Sequence, residues 1–403
     1  MRASYRAIID AMAADAFVLD PSVTFLNHGS FGACPRAVLE AQARLRARLE
    51  SDPVRFFTRE LEGLLDGVRV ALGAFVGADP DDLALMPNAT HAVSTVARSL
   101  RLEPGDELVV TDHAYNACRN ALAEVAARSG ARVVVAHVPF PIRAPAEVTG
   151  AVLAVCGART RLVLVDHVTS PTGLVFPVAE IVAALAARGV DTLVDGAHAP
   201  GMLPLELRAL GAAYYTGNCH KWLCAPRGAA FLHVRRDRQE PMMPLAIGHG
   251  WNSPRRDRSR FRLLFDWIGT ADPTALLCVP VAIDVLAGLV PGGWPEVRAK
   301  NRALALAGRR LLCDALGVAA PCPDEMIGTL ATVPIADGVG PQPEVGPDPL
   351  QETLFREHAI EVPIVWFPTW PRRGVRISAQ LYNRIEQYDQ LARALVVGYA
   401  PSA

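Results

Sequence analysis

The chain predicts an α/β fold: a large domain with a mostly parallel sheet flanked by helices, followed by a smaller C-terminal α+β domain. Three observations carry that expectation. Short apolar runs recur at residues 107–110, 132–136, 162–165, 192–194 and 230–234, and they are apolar on both faces rather than alternating. Helical stretches such as 120–128 and 178–188 separate most of them, which is the rhythm of a parallel sheet. Polar constellations follow these runs at 111–116, 166–173, 195–198 and 217–222, where ligands collect in such sheets.

Composition bounds the partners. A chain of 403 residues can bury a large core and form two or three domains. Its hydrophobic fraction of 51%, charged fraction of 20% and net charge of −1 argue against nucleic acid or a membrane surface as the main partner. The 8 cysteines form no CxxC pair and no His/Cys cluster at metal spacing, so free thiols in a reduced compartment, and no metal, are expected. Arg2, Arg6, Asp10, Asp15 and Asp20 break up any apolar leader, and Asp284 interrupts the longest apolar window, 275–290. A cytoplasmic location is expected.

In chain order, residues 1–20 read as an amphipathic helix, and 23–32 as a short strand running into a glycine-containing loop. Together, residues 1–25 are expected to pack on the body of a large domain spanning 26–272. Leucines and valines recur at helical spacing over 35–75, with a break near Ser51-Asp52-Pro53. The short strand 83–86 gives way to Pro87-Asn88-Ala89-Thr90 and a helix. A helix N-terminus offers free N–H groups to a phosphate, and Asn88 and Thr90 could add donors; a plain N-cap explains the same residues. The small domain, 273–403, begins with helices over 274–289 and 294–316 split by Pro291-Gly292-Gly293. Strands over 326–334 and 374–378, a Pro/Gly-rich mobile loop at 336–347 and a closing helix over 388–399 follow.

The chemistry centres on Gly217-Asn218-Cys219-His220-Lys221-Trp222, which follows the strand-like run 212–216. Asp195 ends another strand. A site for pyridoxal 5'-phosphate (PLP) needs such a pair, an amine for a Schiff base and a carboxylate on the ring nitrogen. Taken alone, a surface lysine beside a core tryptophan would be the plainer reading. The other constellations at strand ends shift the balance toward one site.

Together these residues resemble the class V aminotransferase family of fold-type I PLP enzymes, and within it the isopenicillin-N-epimerase-like branch. The likeness runs through 25–32, Pro87-Asn88-Ala89-Thr90, 112–116, Asp195-Gly196-Ala197-His198, 216–223, Trp267-Ile268-Gly269-Thr270 and 376–383, in family order. The resemblance implies a seven-stranded-type sheet and, residue by residue, a site. Lys221 would form the Schiff base and move the Cα proton, and Asp195 would pair with the pyridine nitrogen. His198 and Ser170 would lie near the ring hydroxyl. Asn88, Ala89, Thr90, Asn218 and His220 would hold the phosphate. Gly269 and Thr270 would reach the phosphate of the neighbouring subunit, which implies a homodimer with shared sites. Either His113 or Tyr115 would cover the ring face. Arg376 would bind a substrate α-carboxylate through its planar fork, with Asn27 and His28 on the substrate side.

The same resemblance frames the activity. Cysteine desulfurases of the family carry a nucleophilic cysteine shortly before the carboxylate-binding arginine, whereas 362–371 holds none here. Cys322 lies too early and Cys219 sits inside the lysine motif, so both are expected as small core residues. The implied function is generation of a Cα carbanion from an L-amino acid or cysteine conjugate, with epimerase chemistry in secondary metabolism leading. The alternatives are a C–S β-lyase or decarboxylative oxidative deaminase of ergothioneine or lincosamide type, and, in another class, a PLP-binding protein without catalysis. Epimerisation needs a proton donor opposite Lys221, for which His28, Tyr115 or a partner residue could serve. The basic run Arg255 to Arg262 is expected as surface or interface ion pairs, or as an anion-recognising rim.

Overall fold

Residues 13–344 and 346–399 are described by the computed structural model. Most of the expected N-terminal helix therefore lies outside the described residues; only its last turn, at 13–15, is seen. Twelve strands follow in order: β1 (Thr24–Phe25), β2 (Leu83–Met86), β3 (Glu107–Thr111), β4 (Arg132–Ala136), β5 (Thr160–Asp166), β6 (Asp191–Asp195), β7 (Tyr214–Asn218), β8 (Ala230–Val234), β9 (Leu330–Ile335), β10 (Ile360–Glu361), β11 (Ile364–Trp366) and β12 (Arg373–Ser378).

Seven of these build the main sheet, in the order β2-β8-β7-β6-β5-β3-β4. Strands β3 to β7 pair in parallel, while β8 runs antiparallel to both β7 and β2. Strand β2 therefore points the same way as the parallel set, and six carboxyl ends meet at one edge. Strands β2, β3, β7 and β8 are buried along their whole length. Successive side chains go to opposite faces: Val109, Val163 and Val194 pack into one core, and Leu108, Leu162 and Leu193 into another. The edge strand β4 is partly open along most of its length, its first residue Arg132 paired with Glu107.

A three-stranded antiparallel sheet, β11-β12-β9, forms the second unit with the Gly293–Leu316 and Ile385–Tyr399 helices. The chain's first strand belongs with it: β1 pairs with β10, and the Ser378 amide donates to the Leu26 carbonyl. No single helix among the described residues is long and apolar enough to cross a membrane.

Local differences from the sequence expectation have physical causes. The 23–32 segment is not a strand and open loop throughout; after β1 it folds into a helical turn, His28–Phe31, closed by Gly32 at φ +69°. Strand β9 starts four residues later than expected, because Asp324–Met326 forms a 3₁₀ turn whose carbonyl Asp324 O, with Ile327 O, is taken by the Arg302 guanidinium. Within 255–262, Arg255 pairs with Glu62 and Asp257, Arg258 with Asp66 and Glu62, and Arg262 with Asp66, Asp81 and Asp266. The run is an ion-pair network rather than a set of open cations.

Two glycines pack directly against the lysine segment. Gly32 and Gly201 both hold positive φ, and a Cβ on them would meet the His220 carbonyl oxygen at 2.0 Å and the Trp222 carbonyl at 2.5 Å. Gly189 is equally left-handed, at φ +70°, but has nothing within 4 Å of its Cβ position. Gly201→Ala is therefore expected to cost about 3 kcal/mol or more, and Gly189→Ala only about 1 kcal/mol. Denaturant midpoints of the two variants check this; equal losses would mean the close approach at Gly201 is not rigid.

Candidate functional site

The carboxyl ends of the parallel strands surround a cavity of about 170 Å³. Its walls are Ser30 and Phe31 from the first helical turn, Asn88, Ala89 and Thr90 after β2, and Tyr115 after β3. Asp166 ends β5 with Val168 and Ser170 beyond it, Asp195 ends β6 with Ala197 and His198 beyond it, and Asn218 ends β7 with His220 and Lys221 beyond it. Parallel strands necessarily gather these segments at one edge, and the β7–β8 turn brings the lysine back over it.

Lys221 is half-buried, with its Nζ 3.1 Å from His198 Nε2. Removal from water, and next the charge of Arg376, lower its pKa to about 8 against the opposing pull of Asp195. His198 is buried, and its Nδ1 accepts the Trp222 indole N–H at 3.3 Å.

Asp195 and Asp166 are register partners on neighbouring strands, both about 3% exposed. Asp195 accepts the Ala197 amide at 3.0 Å on Oδ1 and the Cys118 thiol at 3.2 Å on Oδ2. Asp166 Oδ2 has no partner. Burial, and then the Asp195 charge, hold the Asp166 carboxyl well above the usual carboxylate range. Two adjacent buried carboxyls cannot both ionise cheaply, so burial and the neighbouring carboxyl favour a proton on Asp166, whose Oδ2 has no donor.

The Ala89–Ser99 helix opens into the cavity. Asn88 caps it by accepting the His91 amide at 2.8 Å, and the Ala89 amide donates to Asn218 Oδ1 at 2.9 Å. Thr90 adds a half-buried hydroxyl, and His220, held by the Ala229 carbonyl at 3.1 Å, adds a ring. A helix N-terminus with these groups could take a phosphate.

Arg376 comes from β12 in the small unit and is 5% exposed. It donates to the Ser170 carbonyl at 2.6 Å and to Ser30 Oγ at 2.9 Å, both from cavity-lining residues. Its Nε has no partner, and burial lowers its pKa to about 10. No carboxylate of the described residues forms an ion pair with it, so a buried cation stands uncompensated beside the cavity.

The structure separates other expected residues from the cavity. His113 is fully buried, bonded through Nδ1 to Thr172 Oγ1 at 2.7 Å and through Nε2 to the Val138 carbonyl, and packs on Phe367. Tyr115, 48% exposed, is the one of the two that lines the cavity. His28 is also fully buried: Nδ1 meets the Tyr382 hydroxyl at 2.9 Å and Nε2 the Lys221 carbonyl at 3.0 Å. It braces the lysine backbone from behind. Asn27 bridges Ser30 and Glu361 rather than facing the cavity. Gly269 and Thr270 lie exposed and outside this chain's own cavity wall.

Residues that sequence reasoning did not assign are Ser30, Phe31, Asp166, Cys118 and Trp222. The first two sit inside a segment the sequence had singled out, but the helical turn that aims them was not legible. Asp166 ends β5 as Asp195 ends β6, a repeated strand-end acid that could have flagged it.

An amine, a carboxylate with fixed donors, a helix N-terminus for phosphate and a cavity between them fit PLP. Lys221 could bond it covalently, Asp195 could hold its ring nitrogen, and the residues around Ala89 its phosphate.

The chain matches the family described as Aminotransferase class-V over residues 33–262. It is 37% identical over 390 residues to an isopenicillin N epimerase of Streptomyces clavuligerus, covering 94% of this chain and 95% of that protein. To an L-cysteine desulfhydrase of Arabidopsis thaliana it is 28% identical, covering 93% and 87%. The structure of the cystine C–S lyase C-DES with its product cysteine persulfide superposes with a TM-score of 0.78 at 22% identity, over 94% of this chain and 99% of that one. At that identity the likeness is one of fold.

The state of Asp166 is testable through stability. A carboxyl raised in the folded protein binds a proton that the unfolded chain gives up above about pH 4. Stability from this group is therefore complete below that pH and falls as pH rises toward the folded pKa, by about 1.4 kcal/mol per unit. Asp166→Asn removes the slope, so its stability relative to wild type is expected to increase with pH in urea unfolding. Parallel curves would mean Asp166 is ionised in the fold.

Proposed function

The chain belongs to the class V aminotransferase family, and from that premise we propose that it removes the Cα proton of an L-amino acid and acts as an amino acid epimerase. PLP is its cofactor; when bound, it supplies the electron sink that makes a Cα proton removable. The observation that carries the reading is Arg376, whose buried guanidinium has no ion-pair partner among the described residues and is tied to Ser30 and Ser170 of the cavity wall. A substrate carboxylate is the natural counter-charge, and the planar fork would set its orientation.

Each role then follows from position. Lys221 Nζ, lowered toward neutrality, takes the proton on its own face. Asp195, anchored by Ala197 and Cys118, keeps the ring nitrogen charged. Tyr115 lines the cavity and is half open, which suits a proton donor on the opposite face. The near-complete coverage of the epimerase relative supports this choice.

A second reading, a C–S β-lyase of cysteine conjugates, is favoured by one observation. His28, a candidate opposite-face acid, has both ring nitrogens engaged behind the lysine. β-Elimination needs no such acid, and the likeness to an L-cysteine desulfhydrase points the same way. Persulfide-forming desulfuration is left out of the proposal because no cysteine is among the cavity-lining residues. Burial pushes the Cys219 thiol up to about 12 and the Cys322 thiol up to about 11.

We further infer a homodimer, with Gly269 and Thr270 serving the partner's phosphate site. The exposed Phe31, at 70%, and Tyr115 at the cavity mouth give a partner apolar surface to cover. The eight free cysteines of the described chain suit the cytoplasm.

Proton NMR in heavy water with L-amino acids and S-substituted cysteines decides the reaction. Loss of the Cα signal with the skeleton intact, followed by appearance of the D-isomer, is expected. Pyruvate with a released thiol would replace the epimerase by the lyase. Turnover surviving in Lys221→Ala would sink the catalytic assignment and leave a PLP-binding protein. Arg376→Gln should lower kcat/KM by roughly 100-fold, about 3 kcal/mol, for carboxylate-bearing substrates and much less for their amides. Mixing Lys221→Ala with Thr270→Ala subunits should restore activity, because one site of each mixed dimer then has both residues; no recovery would place Thr270 in its own chain's site.

A further inference from the structure

We propose that Trp222 is a positioning residue that locks His198 in the tautomer bearing its proton on Nε2, so that Lys221 is biased toward the free amine able to condense with the cofactor's aldehyde. The inference goes beyond the reaction proposed above and holds whichever reaction follows, since it concerns how the lysine is made reactive.

An indole N–H can only donate. Trp222 Nε1 points at His198 Nδ1 from 3.3 Å, so that nitrogen must present its lone pair. A neutral imidazole with a bare Nδ1 carries its hydrogen on Nε2. That N–H faces Lys221 Nζ at 3.1 Å. For the contact to be a hydrogen bond, Nζ must accept, and only an unprotonated amine has a lone pair to offer. An ammonium there would set N–H against N–H. The other tautomer would create the same clash at the indole.

Every charged neighbour is consistent with a neutral ring. His198 is buried, and burial, then any positive charge on Lys221 and that of Arg376, disfavour its imidazolium. Around Lys221, burial and Arg376 favour the free amine, while Asp195 and Cys118 oppose it. Trp222 itself is 1% exposed, gripped by the ring of His28 at 4.8 Å and by Gly201 against its carbonyl. The indole cannot swing away without moving the lysine backbone.

The chemical consequence is definite. Condensation with the aldehyde would draw on the Nζ lone pair, and the two hydrogens of the neutral amine would leave with the carbonyl oxygen as water. An ammonium cannot begin this step.

The test reads condensation rather than turnover: full-chain protein freed of cofactor is mixed with PLP, and the absorbance change is timed against pH. In Trp222→Phe the ring is free to turn its bare nitrogen toward an ammonium, so the apparent pKa of Lys221 should rise by about one unit. Condensation at pH 7 should then slow about tenfold. In a His198→Leu background, adding Trp222→Phe should change nothing further. An unshifted profile in Trp222→Phe, or a shift that persists without His198, overturns the proposal. Should Trp222→Phe fail to fold, His198→Gln and His198→Glu decide the matter. The amide can accept the indole N–H and donate to Nζ, whereas the carboxylate can only accept, so the Glu protein should condense more slowly than the Gln protein. Equal profiles overturn the lock.

Discussion

Two cations and two acids are gathered around one cavity, and among the described residues no ion pair joins Lys221 or Arg376 to Asp195 or Asp166. Leaving such groups buried and unpaired is costly, so each is managed separately. Burial favours the protonated form of Asp166, Asp195 takes an amide and a thiol, burial eases Lys221 toward its neutral form with a pKa of about 8, and Arg376 leans on two serines. The arrangement makes sense as half of a larger charge pattern. A ring nitrogen, a phosphate and a carboxylate would complete it, which is why the empty charges themselves argue for the ligand.

Such a pattern needs a rigid support, and the sheet provides it. Six strands pointing the same way deliver their carboxyl-end segments to one edge, while the single reversed strand β8 lets the lysine turn stay short and pinned. Gly32 and Gly201 admit two backbones against that turn that no side chain would allow. His28, fully buried behind it, closes the support with bonds to Lys221 and Tyr382. The lysine segment is thereby held by residues that do not line the cavity.

The small unit contributes Arg376 to the rim of the cavity. Strand β12 carries Arg376, and three segments distant in sequence meet on its guanidinium: the 28–31 turn, the 170 loop and β12 itself. Because β1 pairs with β10, the first helical turn is tethered to the small unit while reaching the large one. The setting of Arg376 is thus a property of the joint between the two units rather than of either alone.

The fold and the meeting of Lys221 and Asp195 at one cavity were legible because both depend on local pattern. Uninterrupted apolar runs alternating with helices can only be buried as a parallel sheet, and a lysine and an aspartate at the ends of two such runs are brought to the same edge by that topology. Arg376 was legible through its motif, although its lack of an acidic partner was not. Sequence could not separate His113 from Tyr115: they stand two residues apart in a turn, and only packing decided that the histidine is swallowed between Phe367 and Thr172 while the tyrosine stays at the mouth. Nor could it withdraw His28 from the substrate side, since the helical turn that buries it is fixed by contacts with Trp222 and Tyr382 some two and three hundred residues on. What the sequence determined by itself is the sheet and the edge at which the lysine and the aspartate meet, because these follow from periodicity and residue type. Which side chains face the cavity, which carboxyl keeps the proton and which way the His198 ring is protonated were decided by tertiary structure alone, because each depends on a hydrogen-bond partner supplied from a distant part of the chain.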